Sequence, residues 1–512
     1  MPDDCLPPVT PLDEHNQALL GEVHPPDWRN PAPRDRYDLV VIGAGTAGLV
    51  TAAGAAGLGA KVALVERHLM GGDCLNVGCV PSKALLRSAH VLAQVRRAGE
   101  FGLRLPGEAT ADFGAVMARL RRLRAGIAPH DGARRFADLG VDVFFGAARF
   151  ADERHVEVAG AKLPFRSAVI ATGARAFVPD IPGLVEARPL TNETVFNLTE
   201  LPRRLAVLGG GPIGCELAQA FRRLGSEVTL LHNKSRLLDR EEADAAAVVQ
   251  GALARDGVCL CLDAHLERVE LTGETRRLHV RRGNQAEFVE ADAVLVAAGR
   301  VPNVAGLNLA AVGVASDPRT GVRVDDFLRT ANPRIYACGD VCSRWQFTHA
   351  ADFMARIVIQ NALFAVGPFG RRRVSSLRMA WCTYTEPELA HTGLTVAEAA
   401  TAGITLDTYT QPFDRVDRAL TDSDTDGFVR VHTRRGTDEI IGATIVGHGA
   451  GELISELSVA IDGKVGLGRL AGIIHPYPTR AEAIRKLGDQ FNKTRLTPTA
   501  AAVLKALIRW RR

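Results

Sequence analysis

Cys74 and Cys79, in the stretch GGDCLNVGCVPSK (71–83), are the two residues whose type and spacing are best suited to moving electrons. A regular helix rises about 1.5 Å per residue, so five residues would separate them by roughly 7.5 Å along its axis. A disulfide needs Cα atoms about 4.4–6.8 Å apart. The segment is therefore expected to be irregular, bent at Asn76 and Gly78, with Pro81 in the first turn of a helix over 82–90. Cys79 then falls just outside a helix N-terminus, where the dipole favours a thiolate, and Lys83 adds positive charge nearby. A small loop with one favoured thiolate is a reversible two-electron store. The plainer alternatives are two free core thiols or half of a zinc site. The spacing departs from a C-x₂₋₄-C knuckle, no second ligand pair follows, and no resident metal is expected.

Two glycine-rich turns supply sites for dinucleotides. In GAGTAG (43–48), Gly43 permits a tight turn, Gly45 lets backbone amides approach a pyrophosphate, and Gly48 allows close helix–strand packing. The helix N-terminus favours the phosphate charge, and Glu66 closes the next strand as an acceptor for ribose hydroxyls. GGGPIG (209–214) repeats the pattern through Gly209, Gly211 and Gly214. Here the strand runs into His232, Asn233, Lys234 and Arg236 in place of an acid, which favours a 2′-phosphate. NADPH is expected, with NADH as the alternative and a solvated basic turn as the neutral explanation. Two such sites imply electron relay between FAD, at the Glu66 site, and a nicotinamide.

These residues need rigid elements behind them. A chain of 512 residues folds as several domains, and 46% hydrophobic residues are ample for their cores. The patterns over 37–42, from 47, and over 61–65 read as strand, helix and strand, and those over 204–208, 213–224 and 227–231 repeat them. AVIATGA (168–174) and AVLVAAGR (293–300) read as strands that end in glycine, at Gly173 and Gly299. From about 378 to 492 the texture changes to alternating strands followed by helices, a separate α+β domain. A net charge of +4 argues for neither nucleic acid nor membrane partners. Nine cysteines are too few for a secreted disulfide scaffold, and Cys215, Cys259, Cys261, Cys338 and Cys382 are expected to be buried thiols. The acidic, proline-rich start lacks a signal-peptide pattern, and no apolar run spans a bilayer, so the cytoplasm is expected. The tail LTPTAAAVLKALIRWRR reads as a basic amphipathic surface helix, with attachment to a membrane surface as the alternative.

The chain resembles the flavoprotein disulfide reductases of the pyridine-nucleotide class: dihydrolipoamide dehydrogenase, glutathione reductase and mercuric reductase. The likeness runs from about Tyr37 to Asn492 through both fingerprints, the cysteine segment, ATG (171–173), GRVPN (299–303) and YACGDV (336–341). It implies an α/β fold with two Rossmann-like domains and a C-terminal α+β dimerisation domain. Its divisions are an extended leader (1–35), an FAD-binding domain in two parts (36–177 and 301–375), a nicotinamide domain (178–300), an interface domain (376–493) and the tail (494–512). By the same likeness, Asp340 meets the flavin's ribityl or phosphate region, and Gly339, Thr172 and Gly173 are among the cofactor-binding residues. Lys83 and Glu216 pair beside the reactive flavin edge. Cys79 is the thiolate facing the flavin, and Cys74 the thiol facing substrate. A homodimer is implied.

Members of the class that act on disulfides carry a histidine just before a Pro-Thr pair, with a glutamate five residues after it, as acid/base for the substrate thiol. HPYPTRAE (475–482) keeps Thr479 and Glu482 but has Tyr477 at the histidine position; His475 comes two residues early and is a candidate displaced base. Mercuric reductase is similar in placing tyrosine there. Its paired-cysteine metal-binding domain is not expected ahead of the core, and no cysteine follows Cys382. The expected activity is electron transfer from NAD(P)H through FAD and the cysteine pair to a metal ion, small disulfide or quinone-like acceptor. The alternatives are dihydrolipoamide dehydrogenase activity and a redox-sensing or metal-sequestering flavoprotein.

Overall fold

The computed structural model describes residues 9–367 and 369–512. These divide into two compact units. One is formed by residues up to 209, 220–229 and 265–377; the other by 210–219, 230–264 and 378–512.

The first unit is built on a seven-stranded sheet. Tyr37–Ile42 (YDLVVI) is flanked in parallel by Val62–Glu66 on one side and Ala161–Ile170 on the other. Ile335–Ala337 adds in parallel to Ala161–Ile170. Near-continuous apolar runs of this kind suit strands covered on both faces. The register pairs Ile42 with Ile170 and Ile170 with Ala337, so three chain segments leave the sheet side by side at its carboxyl edge. They are GAGTAG, ATG and CGDV. Elsewhere in this unit Arg204–Leu208 runs parallel to Ala293–Val296, which sets Gly209 and the 297–299 segment beside each other in the same way.

The second unit holds a five-stranded antiparallel sheet formed by Ala380–Thr383, Glu388–Gly393, Ile440–Gly447, Phe428–Arg434 and Leu406–Pro412, in that order. All eight residues of its central strand are buried. Ile454, Leu457, Ile484 and Leu487, from the helices Ala450–Asp462 and Glu482–Thr494, complete the core.

The expectation of an extended leader over 1–35 is corrected for its described part; residues 1–8 lie outside the described residues. Glu14–Val23 is a helix capped by Asp13, whose carboxylate accepts from Asn16 N–H at 2.9 Å. Leu19 and Val23 are fully buried. The cap and this short apolar spacing were obscured by the surrounding prolines. Among the described residues no helix is long and apolar enough to cross a membrane.

Candidate redox and dinucleotide sites

At the carboxyl edge of the large sheet, helix Thr46–Gly57 begins at Gly45 with no side chain capping its first turn. Its leading N–H groups are thus free for an anion. A Cβ on Gly48 would run into the Gly43 carbonyl oxygen, so this turn excludes any larger residue. Glu66 accepts from Ala44 N–H at 2.7 Å and from His68 N–H at 2.8 Å. Burial raises its carboxyl pKa, and these two donors oppose the rise. Each oxygen keeps a lone pair for a further donor. A Cβ on Gly339 would lie 3.1 Å from Ala47 Cβ, which places Asp340 beside the same helix start. Burial holds Asp340 up at about 6, with Arg300 opposing and Asp73 and Cys79 adding to the rise. Arg300 Nε stands 3.6 Å from Asp340, too long for a hydrogen bond, and this buried nitrogen has no hydrogen-bond partner. Thr172 donates to Asn303 O at 2.7 Å and Asn303 donates back to Thr172 O at 3.0 Å, locking ATG to GRVPN. An uncapped helix start, an acid at the strand end and a half-buried carboxyl beside an arginine nitrogen with no hydrogen-bond partner fit a dinucleotide that brings phosphates and hydroxyls.

The cysteine segment is held against this crevice. Gly71 N–H donates to Ala44 O at 2.9 Å, and a Cβ on Gly72 would sit 2.5 Å from Gly45 Cα. Cys74 lies in a one-turn helix, Gly72–Asn76; the chain breaks at Val77 and Gly78 and resumes as helix Cys79–Arg96. The expected irregularity is there, and Gly78 is needed for it, because a Cβ would approach Asp73 O to 2.7 Å. Cys79 is the first residue of its helix, where it was expected just outside; the dipole acts on it directly, and Lys83 follows one turn later. Both cysteines are thiols in this structure, with Cys79 exposed and Cys74 partly buried. A hydrogen bond to Cys79 is the main cause that pushes the Cys74 thiol up, followed by burial, so Cys74 keeps its proton. Thr348 Oγ1 lies 3.4 Å from Cys79 Sγ.

Three supports were not found from sequence. Arg300 pairs with Asp73, next to Cys74, and donates to Ala174 O at 2.7 Å. Thr348 opens helix Thr348–Ile359, far along the chain. Arg124, only 2% exposed, donates to Asn76 O at 2.7 Å and to Asn16 Oδ1 at 2.6 Å. Asn76 in turn donates to Met70 O and Gly72 O, both at 2.9 Å. The leader helix is thereby joined to the redox loop through one buried guanidinium. Its neighbours in RRLRAG read as an exposed basic stripe, so nothing local marks Arg124 as buried.

At the second fingerprint Gly209 has φ 115° and a Cβ on Gly211 would meet open space. Gly214 is buried in helix Pro212–Leu224. Gly299, at φ 125°, is exposed beyond strand Ala293–Val296. His232 follows Gly209 at the same interval as Glu66 follows Gly43, and its Nδ1 accepts from Gly210 N–H at 3.1 Å, as Glu66 does from Ala44. The expectation of a basic side chain is corrected here: burial lowers the His232 pKa, so the ring is neutral near pH 7. With Nδ1 as acceptor the proton sits on Nε2, a buried donor with no hydrogen-bond partner. Arg236 is turned onto the carbonyls of Asp239 (2.7 Å) and Glu241 (2.9 Å), while Lys234 is exposed. These groups suit a ribose substituent that accepts hydrogen bonds.

In the second unit Glu216 is buried and accepts from Tyr384 N–H at 2.9 Å. Tyr477 is 69% exposed and donates to Asp417 Oδ2 at 2.7 Å, not to Glu482. That bond is the main cause raising the phenol pKa. Glu482 is occupied by Arg485 at 3.1 Å. His475 is engaged at both ring nitrogens, by Ile473 O (2.9 Å) and Glu456 (2.8 Å), and so offers no free base. Cys215, Cys261 and Cys338 are buried as expected, and Cys382 partly so. Cys259 is exposed: it shares a face with buried Cys261 but opens the short edge strand Cys259–Cys261, where the cover ends.

Residues 37–355 match the pyridine nucleotide-disulphide oxidoreductase family, and 379–487 match the dimerisation domain of the same family. A mercuric reductase of Staphylococcus aureus is 35% identical over 461 residues, covering 89% of this chain and 83% of its own. A dihydrolipoyl dehydrogenase of Chlamydia muridarum is 34% identical over 458 residues, covering 88% and 95%. Among solved structures, the Cu(II) complex of the HOCl-induced flavoprotein disulfide reductase RclA from Escherichia coli is similar with a TM-score of 0.77 at 28% identity, covering 88% of this chain and 98% of that one. The family binds FAD and uses NAD(P)H, as the two fingerprints require. With its fingerprints, paired cysteines and dimerisation domain, this chain belongs to the pyridine nucleotide-disulphide oxidoreductase family.

Proposed function

We propose that this chain is a homodimeric, NADPH-dependent reductase whose Cys74–Cys79 pair delivers electrons to a thiophilic metal ion. FAD, when bound, supplies the two-electron relay between nicotinamide and the cysteines. The first-turn amides of helix Thr46–Gly57 would hold its pyrophosphate, Glu66 its ribose, and Asp340 its ribityl chain. Two electrons and two protons, one arriving as the hydride of NADPH, convert the Cys74–Cys79 disulfide to two thiols. One Hg(II) ion or two Cu(II) ions take the two electrons, the protons return to solvent, and the S–S bond re-forms. Lys83 and the helix N-terminus favour Cys79 as the thiolate, and Cys74 meets the acceptor.

The observation that carries the choice of acceptor is Tyr477 bonded to Asp417 where a disulfide substrate would need a histidine. A thiol-exchange base works best with a pKa near the operating pH and contributes about 10²–10⁴-fold. A phenol starts near about 10, and Asp417 moves this one further up. It remains a neutral hydrogen-bonding group, adequate beside a cation and mismatched to a thiol proton. The mercuric reductase relatives and the Cu(II) complex of RclA support a metal acceptor. Dihydrolipoyl dehydrogenase activity is the second reading, supported by relatives of that name.

Steady-state NADPH oxidation with Hg(II), Cu(II), lipoamide and glutathione disulfide tests the choice. Metal-dependent turnover should exceed disulfide turnover, and Tyr477→Phe should lower metal turnover without slowing reduction of the enzyme by NADPH. Lipoamide turnover on the order of 10² s⁻¹, typical of an efficient enzyme, would overturn it.

A further inference from the structure

Helix Pro498–Trp510 lies outside both family-matched regions, the second of which ends at residue 487. It is well formed at its start: Thr497 caps it, accepting from Ala500 N–H at 3.2 Å, and Pro498 occupies the first turn. No residue of the helix is buried. Val503, Leu504, Leu507, Ile508 and Trp510 are between 48% and 81% exposed. Spacings of three and four residues put the aliphatic members on one stripe, with Trp510 at its end. Lys505 and Arg509, four residues apart, lie on the other side.

A contiguous exposed apolar stripe marks a surface that meets something. The charge identifies what. After Asp489 the chain has no acidic residue, while Lys493, Arg495, Lys505, Arg509, Arg511 and Arg512 are all cationic. Two copies of this helix packed on each other would bring like charges together with no carboxylate between them. A nucleic acid would meet the cations and leave the stripe wet. An anionic bilayer surface satisfies both faces: acyl chains cover the stripe, headgroups meet the cations, and the tryptophan sits at the boundary. With 13 residues the helix is marginal in water by length, and too short to span a bilayer.

We infer that helix Pro498–Trp510 docks the enzyme reversibly, lying flat, on membranes rich in anionic phospholipid. The inference does not depend on the identity of the electron acceptor.

The test is flotation of the full-length, FAD-loaded protein with vesicles of phosphatidylcholine alone or with 30% phosphatidylglycerol added. Binding should require phosphatidylglycerol and weaken as salt shortens the Debye length from about 30 Å at 0.01 M to about 8 Å at 0.15 M. Each cation near an anionic leaflet strengthens binding about fivefold. Lys505→Gln with Arg509→Gln should therefore weaken it about 25-fold. Leu504→Gln with Leu507→Gln should abolish it. Neither pair should change FAD content or NADPH oxidation, which shows that the fold is intact. Binding that ignores lipid charge, survives loss of the leucines, or is absent from all vesicles would overturn the inference. So would a change in subunit assembly when the leucines are replaced, or RNA binding that depends on the cations without vesicle binding.

Discussion

Arg124→Met removes the buried link between the leader helix and the redox loop. Two charge-assisted hydrogen bonds are lost, to Asn76 O and Asn16 Oδ1, at about 1.5–3 kcal/mol each, or about 3–6 together. Against this, burial holds the guanidinium down at about 10 from its usual 12.5, and relieving that recovers about 3 kcal/mol at about 1.36 per pH unit. The net loss of global stability is thus only about 0–3 kcal/mol, and the larger effect is local. The loop from Met70 to Cys79 loses one of its anchors, and even one missing bond raises its opening about tenfold. Hydrogen exchange of peptides spanning 70–79 should speed up by tenfold or more in Arg124→Met, while the strand peptides of 37–42 change little. Asn16→Ala, which breaks one of the two bonds, should show a smaller increase in the same peptides. Unchanged exchange at 70–79 in a folded Arg124→Met protein would refute the idea that this arginine positions the loop.

Two further outcomes concern the cofactors. His232→Glu puts at the second fingerprint the acceptor that Glu66 provides at the first. The new charge should repel a 2′-phosphate and move the NADPH:NADH ratio of kcat/KM at least about tenfold toward NADH, from a charge-assisted contact of about 1.5–3 kcal/mol; an unmoved ratio would remove His232 from nucleotide selection. Asp340 has a folded pKa of about 6, raised from 3.8 by burial, so the native cofactor-free chain binds the extra proton between those values. Its contribution to stability is then full below pH 3.8 and is lost as pH rises through 6, by up to about 3 kcal/mol at about 1.36 per unit. Urea unfolding of the cofactor-free protein should show about 2 kcal/mol of this loss between pH 4.5 and 7 in wild type and none in Asp340→Asn.

Much of this was legible in the residues themselves. The strand–glycine–helix units follow from apolar runs and turn chemistry that act over a few residues, and the break between Cys74 and Cys79 follows from disulfide reach. What escaped the sequence depends on distant partners. Arg124 reads as one more surface arginine until helix Phe113–Ile127 is packed beside Glu14–Val23. His232 reads as a cation until burial makes it neutral. Tyr477 stands out as a departure from a pattern, whereas Asp417, which holds its phenol, sits sixty residues away and carries no motif. Short-range periodicity records which face of an element is covered, and leaves open which polar group does the covering.

The central claim, that electrons leave through Cys74 and Cys79, can be tested by trapping thiols during anaerobic reduction. Oxidised protein, protein reduced with one equivalent of NADPH, and the same sample after addition of Hg(II) followed by removal of the metal would each be alkylated and mapped by mass spectrometry. Cys74 and Cys79 should be unlabelled in the first, both labelled in the second, and unlabelled again in the third. If NADPH is consumed and acceptor reduced while the labelling of these two residues never changes, the electrons take another route and the account fails.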